Sequence, residues 1–517
     1  MIHGSVIAGS YFDSVALMAA SQRLRRMPGI VDVALVMATP ANKAILASAG
    51  LFAPQFEVAR EDDLLVAIAA IDAQTASRAA TAVDAALQGE AAESSPDAPR
   101  TLAAGLRRLP EASLALISVP GRFAAEEAFE ALRLGLHVMV FSDNVSVEDE
   151  VALKRLGKDR GLLVMGPDCG SAIISGVPLG FANAVRRGSV GIVSASGTGL
   201  QEVSSIVSNQ GAGVSHAVGV GGRDASRQVG GIMLLEAFRL LMNDQDTQVI
   251  VLISKPPDTA VIDALAKEAA QSDRPVVAAF LGNACGTAGP WTYCAATLEE
   301  AGIAAAMLAK AEDVTVIGAF LDTRKAAMNT VAEQAKQNLT PGQRFVRGLF
   351  SGGTLCGEAA AVMAPSLGTI HGNLSSSSMV ASGDPWVSSG HAVIDLGADE
   401  FTVGRPHPMI DYSLRCRRIM QEASDPDIAV VLLDVVLGYG ANPDPAAELV
   451  PVIRNARGSA VEHGRHLAVV CAVTGTEDDP QRRSTVEQAL RDAGALVAPS
   501  NAAAAHLAAA IVEGRES

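Results

Sequence analysis

Two short segments of this 517-residue chain carry residue types that could hold a phosphate. The first is Val193-Ser194-Ala195-Ser196-Gly197-Thr198, with Glu202 four residues on. The second is Phe350-Ser351-Gly352-Gly353-Thr354, with Glu358 four residues on. Each ends a short apolar run and opens a stretch with helical periodicity. A strand feeding a glycine turn into a helix start leaves free backbone N–H groups aimed at one spot, and the helix dipole adds partial positive charge there. Ser194, Ser196, Gly197, Thr198, Gly352, Gly353 and Thr354 are therefore the candidate phosphate-binding residues. Two such starts in one chain point to one phosphate or acyl phosphate held between two helix N-termini. Taken singly, each also fits an ordinary strand–turn–helix whose hydroxyls cap the helix. Glu202 and Glu358 fit placement near a helix dipole as well as they fit catalysis.

Other candidates lie at strand ends and in loops. Asp168 and Cys169 follow a strand, where sites of α/β sheets gather, although a structural turn explains them too. Gly222, Arg223 and Asp224 close a glycine-rich stretch and form a candidate substrate loop. Asp395 ends an apolar run in the second half. His371, His391 and His407 flank a long insertion that holds the serine tract 375–378. Arg405 and Arg415 are candidates to pair with a substrate carboxylate. No residue stands out as a general acid or base. The six cysteines form no C-x-x-C pair, so no metal site is expected, and they read as reduced thiols of a cytoplasmic protein.

The elements that must position these residues alternate in type. The chain is 49% hydrophobic and only 4% aromatic, so its core is built from Ala, Val, Leu and Ile, as in parallel sheets covered on both faces. A net charge of −16 argues against nucleic acid as a partner. No apolar run is long enough to span a bilayer. Residues 1–100 read as a small α/β domain with a polar linker over 89–100. Residues 101–187 read as half of a nucleotide-binding, Rossmann-type domain. Residues 188–325 and 343–517 follow one shared plan, joined by a polar connector from about 323 to 342. The expected fold class is α/β with parallel sheets.

These residues resemble a known superfamily. Ile117-Ser118-Val119-Pro120, Gly166-Pro167-Asp168-Cys169 and Gly191 to Thr198 stand in the order seen in the α subunit of succinyl-CoA synthetase. Ser351-Gly352-Gly353-Thr354, Asp395-Leu396-Gly397 and the strand ending at Asp434 resemble the carboxyl-terminal ligase domain of its β subunit. The whole chain, with Tyr11-Phe12-Asp13-Ser14 and Met37 to Lys43, resembles the FdrA group. The resemblance implies a CoA-binding-like domain over 101–187 and two flavodoxin-like ligase domains over 188–325 and 343–517.

It also marks what is missing. The superfamily's phosphohistidine would stand near Gly289 to Ala295, which reads Gly-Pro-Trp-Thr-Tyr-Cys-Ala. No histidine occurs between His216 and His371. The partner glutamate would follow the strand 249–254, where Lys255-Pro256-Pro257 stands. The superfamily's glycine-rich CoA loop has no clear match near the amino terminus. A chain that keeps both cradles and lacks the relay can still handle an acyl phosphate that arrives ready-made. The FdrA resemblance implies such a reaction: oxamate carbamoyltransfer in allantoin breakdown, with carbamoyl phosphate as the acyl phosphate and companion subunits in an oligomer. An acyl-CoA synthetase working with a nucleotide-binding partner and a scaffold subunit without a reaction centre are the alternatives.

Overall fold

The computed structural model describes residues 1–10, 14–25, 27–39, 42–43, 46–47, 50–88, 99–282, 289–374, 378–402 and 406–515. It contains two compact units, Met1–Glu111 with Ala398–His407, and Ala112–Gly397 with Pro408–Ser517.

The first unit is built on strands β1 (Ile2–Ile7), β2 (Ile30–Met37) and β3 (Leu64–Ala70). Their order is β1-β3-β2, and both outer strands run antiparallel to β3. Side chains of a strand alternate between the sheet's faces. Leu64, Val66 and Ile68 accordingly pack with Leu17 and Leu24, while Leu65 and Ala67 pack with Leu46 and Phe56. A sheet buried on both faces explains why β3 reads as an unbroken apolar run.

The second unit holds three sheets. A small parallel one contains β4 (Leu114–Ile117), β5 (His137–Val140) and β6 (Val164–Met165). The next contains β7 (Ser171–Ile174), β8 (Val177–Gly180), β9 (Arg187–Ser194), β10 (Val214–Gly219), β11 (Val249–Ser254), β12 (Val276–Phe280) and β13 (Tyr293–Cys294), in the order β13-β12-β11-β9-β10-β7-β8. Strands β9 to β13 are parallel, and the β7–β8 hairpin joins antiparallel at the β10 edge. That hairpin precedes residue 187 in the chain yet belongs to this sheet. The last sheet contains β14 (Phe345–Phe350), β15 (Ile370–Gly372), β16 (Val380–Ala381), β17 (His391–Asp395), β18 (Ile428–Val436), β19 (Ala468–Thr474) and β20 (Leu496–Ala498). Its order is β16-β15-β17-β14-β18-β19-β20, and it is parallel throughout.

β9 and β14 occupy corresponding places, and each feeds a glycine turn into a helix: Gly197–Asn209 in the first half and Gly353–Leu367 in the second. One core joins the two halves, with Leu200, Val203 and Val207 of the first helix, Leu355 and Ala359 of the second, and Ala504 and Ala508 of the Asn501–Val512 helix in a single cluster. The fold is thus mixed α/β with parallel-strand sheets and a separate N-terminal domain.

Two expectations are corrected. The stretch read as a polar connector is a helix, Ile317–Lys336, which buries only Ile317, Ala332 and Ala335. So narrow a buried stripe leaves the other positions polar, and its composition imitates a linker. The cysteines are not all free: Cys169, Cys356, Cys416 and Cys471 are, whereas Cys294 is disulfide-bonded. Among the described residues no helix is long and apolar enough to cross a membrane.

Candidate functional site

The tertiary structure brings the two glycine turns together. Ser196 Oγ donates to Thr354 Oγ1 at 2.6 Å, and the same Oγ accepts from the Gly199 N–H at 2.9 Å. Gly352 stands against Thr198 so closely that a Cβ there would lie 2.5 Å from the threonine Cγ2. The two helix N-termini therefore meet head to head. Ser194 shapes the first turn from inside, accepting from the Ser196 N–H at 3.0 Å and donating to the Ser196 carbonyl at 2.7 Å.

Backbone donors remain open at this junction. The first N–H groups of any helix lack intrahelical partners. Among the described residues, those of Gly197 and Thr198 in one helix and of Gly353, Thr354 and Leu355 in the other have no protein acceptor. The inner donors of the second turn are already taken. Asp434 accepts from the Ser351 N–H at 2.9 Å and the Gly352 N–H at 3.1 Å, and its charge is met by Arg415 at 2.5 Å. An external anion thus meets only the outer N–H groups.

Lys255, at the end of β11, supplies a cation. It is exposed, and its Nζ lies 3.3 Å from where a Gly353 Cβ would be. The Asp395 carboxylate flanks the same point at 2.6 Å. Asp395 is held in place by Asn373, whose Oδ1 accepts the Asp395 N–H at 2.8 Å. Lys255 has no hydrogen-bond or ion-pair partner among the described residues. From the sequence it was legible only as the residue standing where a glutamate was expected. Its closeness to Gly353 arises because β11 of one half ends beside the turn of the other.

The remaining candidates lie elsewhere or do structural work. Asp224 is fully buried, accepts from the Met233 and Leu234 N–H groups, and pairs with Lys154 at 2.8 Å. Glu150 pairs with Lys154 at 2.7 Å and with Arg223 at 2.8 Å, so Arg223 and Asp224 belong to one ion cluster. Gly222 lies near the first turn, its Cβ position 3.8 Å from the Ala195 carbonyl oxygen. Asp168 is exposed with φ of 55°, next to the cis Gly166–Pro167 bond. Cys169 is buried, and burial pushes its thiol up to about 12, far from a reactive thiolate. Arg415 is committed to Asp434 and is not available to a substrate carboxylate. Arg405 lies outside the described residues. His391 is buried, and its Nδ1 accepts the Val346 N–H, whereas His371 is partly exposed. His407 belongs to the other compact unit. The later part of the long insertion is anchored: Arg418 donates to the Pro385 carbonyl at 3.0 Å and to Ser388 at 2.9 Å.

Comparison with known proteins matches two models of the superfamily, the CoA binding one falling at 185–282 and not at the 101–187 that the resemblance implied. Residues 349–511 match the CoA-ligase family, residues 185–282 the CoA binding domain, and residues 1–101 the AllF, heavy metal-associated domain. Over 495 residues the chain is 40% identical to the uncharacterized Escherichia coli protein YahF, covering 95% of each. The chain belongs to the FdrA family of succinyl-CoA synthetase-like proteins. A succinate–CoA ligase α subunit of Archaeoglobus fulgidus is 29% identical over 175 residues, which is 33% of this chain and 58% of that subunit. A solved acetyl-coenzyme A synthetase from Ca. Korarchaeum cryptofilum covers 77% of the chain at 15% identity, with a TM-score of 0.30.

Two groups implied by these family models can be tested against the residues. Heavy-metal sites need cysteine or histidine ligands at set spacing. Residues 1–101 contain no cysteine, and among the described residues no cluster of His, Cys, Asp or Glu could hold a metal ion. Coenzyme A needs a glycine turn open to a pyrophosphate at a strand–helix junction. The turn after β4, in the stretch first read as CoA-binding-like, is closed, since a Gly121 Cβ would lie 2.2 Å from the Asp143 carbonyl oxygen. Within residues 185–282, which match the CoA binding domain, the strand–glycine–helix junction is the Ser194–Thr198 turn, whose open Gly197 and Thr198 N–H groups could hold a phosphate group of CoA. No chemical step is assigned to CoA.

Proposed function

We propose that this FdrA-family chain binds the phosphate of a ready-made acyl phosphate between its two helix N-termini, as a subunit of a carbamoyltransferase. The observation that carries the reading is the 2.6 Å contact between Ser196 and Thr354, which joins two cradles in a chain lacking the relay histidine. In such a reaction the amide nitrogen of oxamate attacks the carbamoyl carbon. The carbon–oxygen bond to phosphate breaks, phosphate leaves with the bonding electrons, and the proton lost by the amide nitrogen goes to the departing phosphate, giving oxalurate and hydrogen phosphate. The N–H groups of Gly197, Thr198, Gly353 and Thr354 and the Lys255 ammonium would stabilise the charge that gathers on the leaving oxygen. The role is electrostatic and forms no phosphoenzyme. The match to the AllF domain supports a place in allantoin breakdown. Companion subunits would supply the acceptor site.

The test is oxamate-dependent phosphate release from carbamoyl phosphate, with this chain and its companion subunits purified together. Release that vanishes when the chain is omitted supports the reading. Absence of release in every combination, with acid-labile phosphoenzyme formed from ATP, returns the acyl-CoA ligase reading. Lys255→Ala is expected to weaken phosphate binding about tenfold, the worth of one charge-assisted hydrogen bond. Isothermal titration with inorganic phosphate checks this, and an unchanged affinity would remove Lys255 from the site.

A further inference from the structure

Below their meeting N-termini, the two cradle helices are tied by a buried link that the proposed reaction does not use. Glu202 and Glu358 occupy the same place in their respective helices. Each reaches across to the other half and caps a helix there. Glu202 accepts the N–H of Asn501, first residue of the Asn501–Val512 helix, at 3.0 Å, and also the Thr474 hydroxyl. Glu358 accepts the N–H of Leu298, first residue of the Leu298–Ala309 helix, at 2.7 Å. The exchange is reciprocal except at one point. Asn501 also has a side-chain amide, which donates to Glu358 at 2.7 Å and to the Leu355 carbonyl at 3.0 Å. Leu298, its counterpart, has no such group. Asn501, Glu358 and Glu202 are 1%, 2% and 3% exposed.

We propose that Asn501 is a positioning residue that sets the separation of the two cradles, holding Glu202 of one cradle helix through its backbone and Glu358 of the other through its side chain. The proposal rests on the cradle reading for its functional consequence. Its geometry follows from topology. The two cradle helices follow strands of different sheets, and among the described residues the hydrogen bond between them at the mouth is the Ser196–Thr354 hydroxyl pair, which solvent or a ligand can compete for. A dry link one turn deeper resists that competition, because an unpaired buried carboxylate or amide is strongly unfavourable. The charged groups facing this link are Glu202 on the first cradle helix, Glu299 on the Leu298–Ala309 helix and Arg483 on the Arg483–Asp492 helix.

Two variants test it in the full chain, each compared with wild type at the same pH. Inorganic phosphate affinity is measured by titration, and hydrogen exchange is followed at the Leu200 and Cys356 N–H groups, which close the first turns of the two cradle helices. Asn501→Ala is expected to bind phosphate about tenfold more weakly at every pH and to exchange faster at both sites. Asn501→Asp sets a carboxyl against Glu358. It is expected to match wild type at about pH 5.5, where the two can share a proton, and to behave like Asn501→Ala at about pH 8.5, where they repel. Folded variants that bind and exchange like wild type at both pH values would overturn the proposal. If wild type binds no phosphate, the cradle reading fails, and exchange alone decides the link: faster exchange at both helices with acid rescue in Asn501→Asp upholds it, and unchanged exchange overturns it.

Discussion

Replacing Gly353 by valine is expected to lower phosphate-linked turnover at least ~100-fold, the scale set by misplaced catalytic geometry. Gly353 is the first residue of the second cradle helix, between Asp395 and Lys255. A Cβ there would lie 2.6 Å from the Asp395 Oδ2 and 3.3 Å from the Lys255 Nζ. The Asp395 carboxylate must shift, and the Lys255 ammonium beside it must give by a few tenths of an ångström. Valine's branched side chain would also stand in the space an anion needs. Gly357, one turn further on, is the control, because a Cβ there meets nothing within 4 Å. Gly357→Ala should leave turnover unchanged and raise stability by up to ~1 kcal/mol through helix propensity. The oxamate-dependent phosphate assay reads both. Wild-type turnover in Gly353→Val would remove the second cradle from the reaction.

The second large effect is on stability. Burial pushes the Glu358 carboxyl up to about 8 from an ordinary 4.5, against the pull of its bonds from Asn501 and Leu298. Glu202 is raised too, again by burial first. A carboxyl with a higher pKa folded than unfolded keeps its proton in the folded chain after the unfolded chain has released it. For Glu358 that window runs from 4.5 to about 8. The stabilisation is full below the window and is lost as pH rises through about 8. Denaturant unfolding should therefore show stability falling by on the order of a few kcal/mol across the window. Glu358→Gln should flatten the slope and leave the smaller share of Glu202 and of Asp479, which burial also raises, whatever offset the lost acceptor adds. Equal slopes in variant and wild type would show that Glu358 is ionised throughout.

Much of the fold was legible because its signals are local. The apolar runs of β9, β14 and β18, the glycine turns and the helical stretches each declare themselves within a dozen residues. The Ile317–Lys336 helix was not, since so little of it is buried. Arg415 shows the other limit. Its charge invited a ligand role, yet it lies fully buried against Asp434, nineteen residues away. Glu202 and Glu358 fitted placement near the dipoles of their own helices as well as catalysis, yet the helices they cap begin at Asn501 and Leu298.

By itself, the sequence determined the alternation of strands and helices, the duplication of the strand–glycine–helix unit and the loss of the relay histidine. Each of these is set by periodicity, turn chemistry or the presence of a residue within one short segment. Only the tertiary structure decided that the two turns face each other, that Lys255 of one half stands over Gly353 of the other, that Asp434 fills the inner half of a cradle and that Asn501 ties both cradle helices. These depend on side chains far apart in the chain meeting in a shared core, and no local pattern encodes such a meeting.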